Sequence, residues 1–379
     1  METCEYVLFF LLLLRECSNL LLIFCLLQHE SGYSEMDADL RCSYIFNSSI
    51  SGIDEADVIL LIGTNPRVEG PVLNARIRAQ AMVGVPVSVI GAPSDLTYPY
   101  EHLGESADTL DAVLKASSPL MKTLKSSSRP MFIVGAGVLR RSDRDAVMSK
   151  IYKLAEKSGV IGRDDGWFGL NVLHDSASRV AAMDVGFMPS VSARASTTSP
   201  KVVYLLGSDD YAEEDVPKDA FVIYQGHHGD RGAVRADVVL PGAAYTEKYA
   251  TYVNTEGRAQ TTKNASAPVA QARDDWKIIR ALSEVCGHTI PVDSLDEMRA
   301  RVEAVAPHLG TRGHIETPFD TLINNGELGK IVTEKAKKSR ADNKTPLKTS
   351  IEQFYQTDAI SRASKTMARC VKSKQNNAF

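Results

Sequence analysis

At 379 residues, with 44% hydrophobic and 24% charged side chains, the chain is long enough for about two domains with sizeable cores. A formal net charge of -4 excludes the basic excess that a phosphate backbone demands of its partner, so no nucleic-acid partner is expected. The cysteines, Cys4, Cys17, Cys25, Cys42, Cys286 and Cys370, form no CxxC pair; this excludes cluster and zinc-knuckle ligation by the usual spacings and reads as reduced thiols.

Residues 6–14 and 20–27 are apolar runs interrupted by Arg15 and Glu16. A membrane-spanning helix needs about 20 unbroken apolar residues. Glu2 and Glu5 stand where a secretory signal would be basic. Residues 1–36 are therefore set apart as an apolar N-terminal extension, and no direct membrane span is expected.

From Ile53 onward the pattern is α/β. Residues 57–63 are a short apolar run closing on Gly63, as suits a strand buried on both faces. Thr64, Asn65 and Pro66 turn the chain, residues 72–82 carry helical spacing, and residues 86–91 form the next strand, completing a βαβ unit. A second unit begins at residues 131–137, where a strand runs into Gly135 and Gly137, with a helix predicted over 143–157. Residues 201–207, 220–224 and 236–241 supply further strands, and the alternation predicts a doubly wound, mainly parallel sheet. Helices are expected at 274–285 and 296–305. Beyond His308 the chain turns polar and reads as a tail of short helices or one lying along a partner. Its last helix, over 351–368 with Thr357 or Asp358 as N-cap, is amphipathic; it either docks on its own domain or caps another subunit.

The densest cluster of polar chemistry is residues 224–260. His227 and His228 with Asp230 invite a metal reading, but adjacent histidines on an extended backbone point apart and no third imidazole or thiolate lies at a useful spacing. No metal site and no catalytic residue is predicted. Glu247, Lys248, Glu256 and Arg258 have no nucleophile or partnered base beside them and are expected in surface or internal ion pairs. Gly135, Ala136 and Gly137 begin like a dinucleotide-binding fingerprint, with Arg140 where the third glycine belongs.

Three stretches carry a family resemblance: GHHGD at 226–230 with ADVVLPGAAYTEK at 236–248 and TYVNTEGRAQ at 251–260; EADVILLIGTNPR at 55–67 with LNARIR at 73–78; and ISRASKTMA at 360–368. Together they resemble the C-terminal half of the 75 kDa iron–sulfur subunit family of respiratory complex I, the NADH:ubiquinone oxidoreductase, in its mitochondrial form. The resemblance implies a fold of the molybdopterin oxidoreductase type over residues 37–309 and a mostly helical C-terminal tail over 310–379 with a terminal helix. It also implies no cofactor in this chain, the iron–sulfur clusters belonging to an N-terminal half or a partner chain. Because those cluster ligands are missing, an incomplete gene product or a separately encoded half is expected. Further implications are a scaffold role among peripheral-arm subunits, on the matrix side of the mitochondrial inner membrane, with the cluster-bearing half as one partner. Gly63, Asn65, Gly135, Gly137, His227, His228 and Glu256 are then candidates for a vestigial cofactor edge, with His227, His228 and Glu256 fixing loops beside it. The alternatives are a molybdopterin-dependent oxidoreductase and a stand-alone nucleotide-binding module.

Overall fold

The computed structural model describes residues 23–27 and 40–376, apart from 164, 178, 188–199, 210, 212–215, 311–340, 343 and 352. In chain order the strands are β1 (Ile23–Leu27), β2 (Val58–Ile62), β3 (Val87–Ile90), β4 (Glu101–Gly104), β5 (Pro130–Gly135) and β6 (Leu170–Leu173). After them come β7 (Val202–Leu206), β8 (Phe221–Gly226), β9 (Val238–Pro241), β10 (Thr251–Val253) and β11 (Ala259–Thr261).

A five-stranded, all-parallel sheet has the order β4-β3-β2-β5-β6. Its inner strands β3, β2 and β5 are short, mainly apolar runs buried on both faces, which is why they read as hydrophobic blocks, whereas the edge strand β4 is largely exposed. Val58, Leu60, Ile62, Phe132 and Val134 join one buried cluster, while Ile59, Leu61, Met131 and Ile133 join another, as the two-residue period of a strand requires. The first cluster receives Val147, Ile151 and Leu154 from the helix Arg144–Ser158. That helix ends where Gly159 adopts φ +74, the left-handed cap that glycine takes without strain. Emptying any of these core positions, Leu60→Ala for example, carries a cost of about 2–5 kcal/mol.

The chain path through this sheet fixes where a ligand crevice would lie. From β2 it moves outward to β3 and β4, then returns to place β5 and β6 on the other side. The C-terminal ends of β2 and β5 therefore flank a topological switch point, where open α/β sheets bind ligands. Glycines stand at these ends: Gly63 after β2 with φ +57, Gly91 after β3 with φ +149, and Gly135 closing β5.

A second parallel sheet has the order β1-β7-β8-β9. The apolar run at 20–27 thus contributes a strand beside Val202–Leu206, inside the segment set apart as an N-terminal extension. Tyr204 and Leu206 pack into the larger cluster shared with the first sheet, and Val203, Leu205, Val222 and Tyr224 form a separate cluster on the opposite face. β10 and β11 make an antiparallel hairpin whose turn needs Gly257 at φ +82.

Asp184 ties distant segments to this core. Its side chain is fully buried, and it accepts from Arg41 Nε at 2.9 Å and Tyr44 Oη at 2.8 Å, with His308 Nε2 at 3.1 Å in ion-pair range. Burial works to raise this carboxyl, but the His308 imidazole and the Arg41 guanidinium outweigh it and hold the group below the usual carboxylate range. Burial also raises the neighbouring Tyr44 hydroxyl, so it stays a donor.

The helices Asp275–Val285 and Leu295–Val305 lie within a residue of their predicted limits. The terminal helix differs. Asp358 is the N-cap and forms a capping box with Ser361, but Ser364 is extended and divides the element into Ala359–Ala363 and Lys365–Asn376. Among the described residues no helix is long and apolar enough to cross a membrane.

Candidate functional site

The structure brings Gly63, Asn65, Gly135 and Gly137 together at the switch point and places His227, His228 and Glu256 elsewhere. At the switch point Gly135 lies so close to β2 that a Cβ would collide with the Gly63 carbonyl and with Thr64. Asn65 is the N-cap of the helical turn Pro66–Glu69, its side chain accepting from Arg67 N at 3.2 Å.

The crevice these glycines would open to a phosphate is filled by the chain itself. Residues 344–351 run across the strand ends. Leu347 is fully buried; its N–H donates to Glu105 O at 2.7 Å and its carbonyl accepts from Ala92 N at 3.2 Å. A Cβ on Gly63 would strike Val138, with the Leu347 Cβ 3.3 Å away. Gly137 touches the Lys348 carbonyl, and Gly91 stands beside the Leu347 carbonyl.

Two charged side chains anchor this strap. Glu69 Oε1 accepts from Thr349 Oγ1 at 2.6 Å, Ser350 N at 2.9 Å and Ser350 Oγ at 2.9 Å. Its Oε2 accepts from Thr64 Oγ1 and, at 3.2 Å, from Asn65 N. On the other side Arg141 grips Asp143 with two hydrogen bonds at 2.7 and 2.9 Å and donates to the carbonyls of Pro346, Thr345 and Asp342 at 3.2–3.3 Å. Burial opposes ionisation of Asp143, yet the Arg141 guanidinium and the Asp342 N–H prevail and lower it. Arg140, at the third-glycine position of the fingerprint, pairs with Asp175 at 2.8 Å beyond the end of β6. The helical turn after Gly135 ends at Leu139, so the long helix that a dinucleotide fingerprint opens is not there.

Sequence reasoning missed Glu69 and the strap. Glu69 had a readable signal, an acid four residues after a capping asparagine, which reaches back to the cap N–H in the manner of a capping box displaced by one position. The strap had none, since its sequence is that of a polar tail.

At the second sheet, Gly207, Asp209, Gln225, Gly226, Lys248 and Asp275 surround a cavity of about 60 Å³, roofed by Ile360 of the terminal helix. That volume accommodates a few waters, against the roughly 300 Å³ or more of ordinary ligand sites. Lys248 Nζ meets Asp275 Oδ2 at 2.5 Å, and Gln225 Nε2 donates to Asp275 Oδ1 at 2.9 Å. Gln225 in turn accepts from Tyr204 Oη. The ion pair expected for Lys248 is thus internal. Burial raises the Asp209 carboxyl, whose oxygens accept from Gly232 N and Tyr224 Oη.

The histidines are exposed, with their Nδ1 atoms 2.7 Å apart. Fixing of the local loop falls to the His228 carbonyl, which accepts from Tyr224 Oη at 2.6 Å; the imidazole takes no part in that bond. Glu256 is buried and does hold loops together. Its carboxylate accepts from Ile50 N at 2.8 Å and from Asn254 Nδ2 at 3.1 Å.

The sequence profile of the molybdopterin oxidoreductase family matches residues 5–285. The chain belongs to that family. A second profile, of a C-terminal region of NADH-ubiquinone oxidoreductase, matches residues 317–370. The chain is 48% identical over 338 residues to the mitochondrial NADH-ubiquinone oxidoreductase 78 kDa subunit of Neurospora crassa, covering 89% of this chain and 44% of that protein. It is 44% identical over 349 residues to the mitochondrial NADH dehydrogenase [ubiquinone] iron-sulfur protein 1 of Solanum tuberosum, covering 92% and 45%. Against the NADH-ubiquinone oxidoreductase 75 kDa subunit of Reclinomonas americana the identity is 41% over 340 residues, covering 88% and 47%. The chain thus spans slightly less than half the length of these relatives, and the resemblance read from its sequence is borne out. In this member of the family, residues 344–351 and the Glu69 carboxylate occupy the switch-point crevice.

Proposed function

We propose that this chain is a scaffold component of NADH:ubiquinone oxidoreductase, supporting electron transfer from NADH to ubiquinone without performing a chemical step. It sits in the peripheral arm, on the matrix side of the mitochondrial inner membrane, and packs against the cluster-bearing half and neighbouring subunits. The iron–sulfur clusters belong to those partners. The observation that carries this reading is the likeness over 88–92% of the chain to complex I subunits of fungi, a plant and a protist.

The filled crevice favours a scaffold over a molybdopterin-dependent oxidoreductase or a stand-alone nucleotide-binding module. A parallel sheet binds phosphate through glycine-rich turns that let backbone N–H groups approach it. Here those turns approach Lys348 and Leu347 instead.

Native electrophoresis of mitochondrial extracts, probed for this chain and stained for NADH dehydrogenase activity, tests the reading. Comigration with the active complex is expected. Migration as a free monomer overturns it, and stoichiometric molybdenum in the purified protein would establish the oxidoreductase alternative.

A further inference from the structure

We propose that residues 344–351 act as an intramolecular ligand of the switch-point crevice, taking the place of a nucleotide's phosphates and excluding a nucleoside diphosphate from it. This rests on the geometry of the chain and on its family, and holds whichever assembly the chain enters.

Three independent features support the inference. The first is position. The strap crosses the C-terminal ends of β4, β3 and β2 and the turn after β5, with an isolated antiparallel bridge between Ser106, just past β4, and Pro346. This is the side of the sheet, and the reversal of strand order, at which nucleotides are held in open α/β folds.

The second is the character of the contacts. At a phosphate site, glycines bring the backbone close to the ligand and hydroxyl and N–H groups converge on its oxygens. Here Gly137 brings the backbone against the Lys348 carbonyl. The hydroxyls of Thr64, Thr349 and Ser350 and the N–H groups of Asn65 and Ser350 converge on the carboxylate of Glu69. An internal anion fills the role of an external one, and its charge repels a phosphate.

The third is origin. The family match that contains both sheets ends at residue 285, whereas the strap lies within residues 317–370, matched by the separate C-terminal profile. The crevice and its occupant come from two different sequence modules. A plug supplied by the second module accounts for a sheet that keeps glycine-rich strand ends with no room left above them.

The test compares the full chain with one in which residues 344–351 are replaced by a glycine–serine linker of equal length, both confirmed as folded by circular dichroism. A synthetic peptide of sequence KTPLKTSI and ADP are the probes. The intact chain should bind neither. The replaced chain should melt about 5 °C or more lower and recover Tm on saturable peptide binding, and once Glu69→Gln also removes the internal anion it should bind ADP in competition with the peptide. Saturable ADP binding to the intact chain would overturn the exclusion, as would a folded replaced chain carrying Glu69→Gln that takes the peptide yet ignores ADP. A replaced chain with unchanged Tm and no affinity for the peptide would overturn the intramolecular ligand itself. If the replaced chain fails to fold, Glu69→Gln tests the same closure: it should hasten proteolysis at 344–351 at least threefold, and unchanged protection would count against the proposal. Neither result depends on comigration with complex I, so this idea and the functional reading can fail separately.

Discussion

Lys348 lies against Gly137 with no room for a side chain between them: a Cβ on Gly137 would stand well inside 3.0 Å of the Lys348 carbonyl oxygen. Gly137 has an ordinary backbone conformation, so what it supplies is space. Gly137→Ala should therefore displace the strap and lower stability by about 1–3 kcal/mol, the usual cost of overpacking. Denaturant midpoints measure this, and a variant as stable as the parent would show that the contact yields freely.

Glu69→Gln keeps the side-chain shape but replaces one acceptor oxygen by a donor and removes the charge. The donors converging on Glu69 then lose about 1–3 kcal/mol of charge-assisted hydrogen bonding. Glu69→Asp, which keeps the charge and shortens the reach, should fall between the two. Equal stability of all three proteins by chemical denaturation would remove Glu69 as an anchor.

His174 gives the chain a pH dependence. Burial drives its imidazole down to about 4, although its Nε2 donates to Tyr44 O at 2.5 Å. Since the folded value lies below the unfolded value of about 6.5, the unfolded chain binds the extra proton between these two pH values. Stability from this group is complete above about pH 6.5, falls as pH drops toward 4, and is flat below. The total loss is about 3 kcal/mol. His174→Gln should flatten this part of the stability profile; an unchanged slope would assign it to other groups.

The Lys248 and Asp275 pair should behave as a buried ion pair. Removing one partner, as in Lys248→Met, leaves an uncompensated carboxylate and should cost about 3–5 kcal/mol. Lys248→Met combined with Asp275→Leu should recover much of that loss. Additive losses in a double-mutant cycle would mean that the two side chains do not interact energetically.

His228→Ala should change stability by less than about 0.5 kcal/mol, because the contact that fixes the loop is the His228 carbonyl and survives the substitution. Tyr224→Phe, which removes the donor, should cost about 1 kcal/mol or more. A larger effect from His228→Ala than from Tyr224→Phe would restore the imidazole to a structural role.

The strands β2, β3, β5, β7, β8 and β9 were legible because a buried parallel strand leaves an apolar block closing on a turn residue, as at Val58–Ile62 and Gly63, whereas β4, β6, β10 and β11 are three or four residues long and leave no such block. The cap at Asp358 was legible for a similarly local reason. Long-range pairing was not. The run at Ile23–Leu27 becomes an edge strand only through β7, far along the chain, and nothing within the run records that partner. Half of the candidate site could be read from its glycines. Its occupant could not, because residues 344–351 act through backbone carbonyls and N–H groups that any sequence carries, and Glu69 through a carboxylate that resembles any surface acid.

Thr349 and Glu69 are 280 residues apart along the chain. Translation at about 5–20 residues per second separates their emergence by roughly 15–55 s. Throughout that interval the five-stranded sheet can already have formed while its glycine-lined end still faces solvent. The nascent protein thus passes through a period of exposure that ends only when residues 344–351 are made, and a passing small anion or chaperone would meet a surface that the folded molecule no longer presents.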